Sequence, residues 1–160
     1  MTGHHFQRRQ TMEINFTGFL PEALFFDLPE IDAQHEEIFN RIDSLKTACF
    51  ESHHVPLEEF DALLQYFAFH FATEERIADE AELDFTDHAR IHEDTLHLLH
   101  RALSEVRNHG RDAHSFLRYC EYWFERHISE DDRGFISALQ SGDFEPLGNR
   151  RPGAGFSAQA

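Results

Sequence analysis

Seven side chains able to bind a metal recur along this chain at spacings that suit helices: His35, His70, Glu74, His88, His92, His127 and Asp132. His70 and Glu74 are four residues apart, as are His88 and His92, and on a helix such pairs project from one face. Each group sits in an apolar run. Phe60, Leu63, Phe67, Ile77 and Ala81 share the stripe of His70 and Glu74, and Ile31, Ile38 and Ile42 flank His35. A polar group left without a partner in such an interior costs roughly 2–7 kcal/mol. A neighbouring hydrogen bond accounts for any one of these histidines taken alone. Nothing in the surrounding apolar sequence partners all seven, and a metal does. Imidazole and carboxylate without sulfur suit iron, manganese, zinc or copper. Seven ligands exceed what one ion takes from side chains, whereas two ions sharing both carboxylates account for the number. Asp132 lies five residues after His127, off a shared α-helical face, and a bridging position one turn deeper tolerates that offset.

Four amphipathic helices must position these groups. The first begins at Ile31, with Ile31, His35, Ile38, Ile42, Leu45 and Cys49 as its inward seam. Asp32 falls in its first turn, where negative charge suits the helix dipole, and ESHHVP (51–56) ends it. The second runs from Leu57 to Ala81. The turn DFTD (84–87) offers Thr86 or Asp87 as N-cap of a third helix reaching Asn108, with seam His88, His92, Thr95, Leu99, Ala102 and Val106. NHGRD (108–112), with Gly110 as stop and Asp112 as cap, precedes a fourth helix that carries Trp123, Phe124, His127 and Ile128 and continues through Asp132 to Leu139. Short links between such helices predict an all-α, antiparallel up-down-up-down four-helix bundle with an N-terminal extended arm. Residues 1–15 are expected to form a flexible arm, 16–140 the bundle and 141–160 a flexible tail. His35 is early in helix one, His70 and Glu74 late in helix two, His88 and His92 early in helix three, and His127 and Asp132 late in helix four. In an alternating bundle all seven then meet at one end, within a slab of one to two turns at about 1.5 Å of rise per residue.

Composition narrows the partners. A chain of 160 residues with 41% hydrophobic content has enough for one sizeable core, and 17 phenylalanines make that core rich in rings. The net charge of −16 disfavours nucleic acid and anionic membrane, both of which call for basic patches. There is no membrane-length apolar run and no apolar central region of a signal peptide at the start, so the expected location is the cytoplasm. Cys49 and Cys120 are too few for a disulfide framework or a thiolate site and read as buried thiols. His4, His5, His53, His54, His97, His100, His109 and His114 are expected at the surface. The single ExxH, Glu51–His54, is short of the two such motifs that ferritin-like di-iron sites need.

Together, IDAQH (31–35), HFATEE (70–75), HARIH (88–92) and WFERHISEDD (123–132) make the pattern H…HxxxE…HxxxH…HxxxxD. In this the chain resembles the hemerythrin family, in particular its single-domain bacterial members, the bacteriohemerythrins, over residues 20–138. The resemblance implies a non-haem di-iron centre, with an oxo or hydroxo bridge, that binds O2 reversibly for carriage, storage or sensing. It implies that His88, His92 and His127 hold one iron and His35 and His70 the other, with Glu74 and Asp132 bridging. The second iron keeps an open position for dioxygen. The family's pocket positions map onto Ile38, Phe71, Trp123, Phe124 and Ile128, all apolar here, which also read as plain core packing. A dry pocket favours binding over further chemistry. Were water or a reductant to reach the centre, the same site would act as an enzyme, a peroxidase or a nitric oxide reductase. In a third reading the metal is structural and the bundle docks a partner that the sequence does not name. Four positions depart from the family: Leu20 stands where a Trp is usual, Asp27 where a Gly is usual, Phe124 where a Leu is usual, and Ala78 where a Met is common.

Overall fold

In the computed structural model, which describes residues 20–141, every stretch with helical periodicity is helical. Helix α1 spans Pro29–Ser52, α2 Leu57–Glu80, α3 Thr86–Arg107 and α4 Ala113–His127. A π-helical turn, Ile128–Asp132, carries the chain into α5, Arg133–Ser141. The backbone is right-handed helical on both sides of that turn, so α4, the turn and α5 make the fourth rod. α1 and α3 each pack on both α2 and α4, which closes an all-α four-helix bundle with sequential helices as neighbours. The predicted flexible arm (1–15) and, apart from Ser141, the predicted flexible tail (141–160) lie outside the described residues. Among the described residues, no helix is long and apolar enough to cross a membrane.

The helix ends show which local signals dominate. α1 starts at Pro29, ahead of the expected Ile31. Proline fits the first helical position because its missing N–H would be unsatisfied there anyway. Neither Thr86 nor Asp87 caps α3. Phe85 holds the cap position, and the Asp84 carboxylate accepts from the Thr86 N–H at 3.1 Å. Thr86 and Asp87 are thereby drawn into the first turn, where the charge of Asp87 still suits the dipole. Asp112 caps α4 as expected, accepting from the Ser115 N–H at 2.9 Å. At the end of α3 it is His109, with φ 59°, that turns left-handed rather than Gly110.

The bundle is filled by rings and branched aliphatics. Phe60, Phe67, Phe116 and Phe124 are fully buried, and the Phe67 and Phe124 rings meet edge-on at 5.2 Å. Cys120 is buried, which pushes its thiol up to about 12, whereas Cys49, in the last turn of α1, is only half-buried. The spare histidines in the described residues, from His53 to His114, are exposed.

The lead-in to α1 covers the end of the bundle where His35 lies. It folds a 3-10 turn over Glu22–Leu24 and buries Leu24 and Phe26. The buried Asp32 holds it, accepting from the Phe26 and Leu28 backbone N–H groups at 3.0 Å each. The Arg133 guanidinium lies 5.4 Å from the Phe26 ring and donates to the Ala23 carbonyl at 2.6 Å. Phe26 in turn meets the His35 ring edge-on at 6.1 Å. Asp32→Ala strands two backbone donors. The expected cost is about 1–3 kcal/mol, read by chemical denaturation together with faster amide exchange at Phe26 and Leu28; unchanged exchange there would count against the tether. Asp27 has φ 59°, which explains why a glycine serves well at this position. Asp27→Gly is expected to raise the melting temperature by relieving left-handed strain worth about 1 kcal/mol.

Candidate metal centre

The bundle brings all seven candidate residues to one place. His35 comes from the second turn of α1, His70 and Glu74 from the second half of α2, His88 and His92 from the start of α3, His127 from the last residue of α4, and Asp132 from the end of the π-turn. Six are buried; the His88 side chain is the most open, at 11%. Their ligand atoms fall into two groups, each within 4.8 Å: His88, His92 and His127 with both carboxylates, and His35 and His70 with the same two carboxylates.

Each carboxylate divides its oxygens between the groups. Glu74 Oε2 lies 3.2 Å from His92 Nε2 and 3.5 Å from His88 Nε2, while Oε1 lies 3.3 Å from His70 Nε2 and 3.9 Å from His35 Nε2. Asp132 Oδ1 lies 3.0 Å from His127 Nε2 and 3.1 Å from His88 Nε2, and Oδ2 lies 3.2 Å from His35 Nε2. The five-residue step from His127 to Asp132 needs no offset after all. In a π-turn, closed here by the Arg133 N–H to the Ile128 carbonyl, residues five apart stack on one face.

The pattern of lone pairs calls for a cation. The Thr73 hydroxyl donates to the Phe69 carbonyl at 3.1 Å, so it accepts from the Gln34 side-chain amide at 3.0 Å. That orients the Gln34 oxygen to accept from His70 Nδ1 at 2.8 Å, which puts the His70 proton on Nδ1 and leaves Nε2 bare. His127 Nδ1 likewise donates to Asp131 Oδ2 at 2.9 Å, leaving its Nε2 bare. Yet Nε2 atoms face each other at 3.2 Å for His35 and His70, 3.3 Å for His88 and His127, and 3.0 Å for His92 and His127. Neither oxygen of Glu74 or of Asp132 makes a hydrogen bond within the protein, although imidazoles lie close by. Buried imidazole and carboxylate lone pairs aimed at common points fit metal ions well.

Without a metal, protons take part of that role. Burial opposes the charging of His35 and His88, but Asp132 and Glu74 outweigh it and raise both to about 9. Burial wins at His92, which falls to about 4 despite Glu74, and it lowers His70 too. Burial also works against ionised Glu74 and Asp132, yet the surrounding imidazoles hold both carboxyls well below the usual range. A histidine raised on folding stabilises the fold below its unfolded value, about 6.5, and that contribution disappears as pH climbs through the folded value. The metal-free protein is therefore expected to lose melting temperature between about pH 6.5 and 9. It should also lose stability in acid, as Glu74 and Asp132 are forced to protonate. Loaded protein should lack the alkaline loss. A flat metal-free profile across that window would contradict this account.

Residues 27–139 match the model of the hemerythrin HHE cation binding domain. The chain belongs to the hemerythrin family. It is of the bacteriohemerythrin type: the bacteriohemerythrins of Pseudomonas aeruginosa (strain LESB58) and Pseudomonas paraeruginosa (strain DSM 24068 / PA7) are each 31% identical to it over 133 residues, covering 79% of this chain and 84% of theirs.

In this hemerythrin, rings wall the centre on every side. Phe71 stacks on His92 at 3.9 Å, Phe85 on His88 at 4.4 Å and Trp123 on His127 at 4.7 Å. Phe124 stands edge-on to His35 at 5.3 Å and to His70 at 5.9 Å. Ile38 and Ile128 are fully buried. Of the five expected pocket residues, Phe124 is thus set against the two-histidine group, Phe71 lies flat on the three-histidine group, and Trp123 is only half-buried at its flank. Sequence reading passed over Gln34, Thr73, Phe85 and Asp131. Each of Gln34, Thr73 and Asp131 is the immediate neighbour of an expected ligand, and Asp131 is four residues from His127, a spacing that was open to reading.

Proposed function

We propose that this chain binds dioxygen reversibly at two iron ions, one held by His88, His92 and His127, the other by His35 and His70, with Glu74 and Asp132 bridging. The observation that carries this is the division of the two carboxylates, one oxygen of each turned to either histidine group. Three imidazoles serve one side and two the other, so a metal on the two-histidine side would have one fewer protein ligand and a position for a small ligand. Two irons held there would supply the redox chemistry that reversible dioxygen binding requires. The protein's own part is to hold and to exclude. Gln34 and Thr73 lock His70 with its lone pair inward. Phe124, edge-on to His35 and His70, gives the two-histidine side an apolar wall, and with the buried Ile38 and Ile128 in the same core it keeps water and acids from the bound ligand. Carriage, storage and sensing all use this same step.

The test is to load the protein with iron, reduce it without air, and admit oxygen. An optical spectrum that appears with oxygen and vanishes under vacuum, at about two irons per chain, supports reversible binding. Rapid bleaching with turnover of peroxide or nitric oxide would replace that reading by the enzymatic one. A bound metal with no oxygen response would reduce the centre to a structural role.

A further inference from the structure

The two halves of the centre are braced differently from behind. On the two-histidine side, the outer nitrogen of His70 donates to a neutral amide, Gln34, and His35 Nδ1 makes no hydrogen bond within the protein. On the three-histidine side, the outer nitrogen of His127 donates to a carboxylate, Asp131, at 2.9 Å. The His127 side chain is 1% exposed and that of Asp131 is 36%, so an anion at the surface reaches a buried ring through one hydrogen bond. Trp123 lies nearly parallel to the same ring, at 14°, and keeps it from turning away.

We propose that Asp131 is a positioning residue that makes the three-histidine half the more electron-rich half of the centre, through its hydrogen bond to His127 Nδ1. This rests on the di-iron reading above. The bond does two separable things. Its geometry fixes the proton on Nδ1 and points the Nε2 lone pair inward. Its charge polarises the ring, strengthens Nε2 as a donor, and favours the higher charge on the metal it faces. An iron held by His88, His92 and His127 would thereby be the more easily oxidised of the two. The four-residue step places Asp131 against the outer nitrogen of His127, and the π-turn places Asp132 against the inner one.

Asp131→Asn keeps an acceptor oxygen and removes the charge, Asp131→Ala removes both, and Asp131→Glu restores the charge. With Zn(II) as probe, nitrogen-labelled imidazole NMR of the wild type should place the His127 proton on Nδ1. Asp131→Ala should then keep the proton on Nδ1 but lose its hydrogen bond, moving the Nδ1 resonance upfield and speeding exchange of that proton, and weaken zinc binding about 10- to 100-fold, with Asp131→Asn losing less. In iron-loaded protein the midpoint potential should rise in Asp131→Asn, because an anion that favoured the oxidised state is gone, and fall back in Asp131→Glu. A potential and a zinc affinity unchanged in both the Asn and the Ala variants would overturn the proposal, leaving Asp131 as a surface charge. The failure of the oxygen reading looks different: the zinc and NMR effects would persist while iron-loaded wild type ignores oxygen. A wild type that takes up no zinc or iron would overturn both.

Discussion

Replacing Glu74 by alanine should empty both halves of the centre at once. Glu74 and Asp132 are the two residues shared by both ligand groups, and Glu74 alone faces four imidazoles. Losing His92 would strip one group and leave the other whole. Losing Glu74 removes a ligand from each and also the negative charge that lets cations sit among five buried imidazoles. Loss of a residue that only braces a ligand weakens metal binding about 10- to 100-fold, so loss of a shared ligand is expected to exceed that range and to leave less than one metal per chain. The helical content should survive, because the hydrophobic seam around position 74 is intact. Metal analysis beside circular dichroism checks this, and Glu74→Gln, nearly isosteric, separates the missing charge from the missing volume. A variant that still holds two metals would refute the bridging role. In the metal-free state the same change withdraws a partner from His35 and His88, so the alkaline loss of stability should shrink.

Phe124→Ala should act on stability and on oxygen chemistry together. Phe124 is fully buried and packs against Phe39 and Phe67 as well as His35 and His70. Truncating a buried phenylalanine to alanine typically costs about 3–5 kcal/mol, a large share of a domain's total stability. The cavity it leaves lies against the two-histidine group, where water would then gain access. The expected result is a lower denaturation midpoint and, in iron-loaded protein, a shorter-lived oxygen adduct. Phe124→Leu, which keeps an apolar but smaller side chain, should recover most of the stability and admit ligand faster than the wild type. A truncation costing under about 1 kcal/mol would mean that the site collapses onto the missing ring, and an unchanged adduct lifetime would show that Phe124 does not guard the pocket.

What the chain of residues determined by itself was the set of seven side chains, their helices and their common level. That was legible because it depends on local geometry alone. A helix advances and turns by a set amount per residue, so the spacing of His70 and Glu74 or His88 and His92 decides their face, and alternation of short-linked helices decides their height. The Asp112 cap was readable for the same reason. Tertiary structure alone decided how the groups address each other. The Gln34–His70 and Gln34–Thr73 bonds join residues 36 and 39 apart, at separations where no periodicity carries a signal. The split of each carboxylate between two histidine groups, the ring that covers each imidazole, and the π-turn that brings Asp132 onto the face of His127 follow from packing between helices, where close-packed side chains settle which of several local conformations is kept.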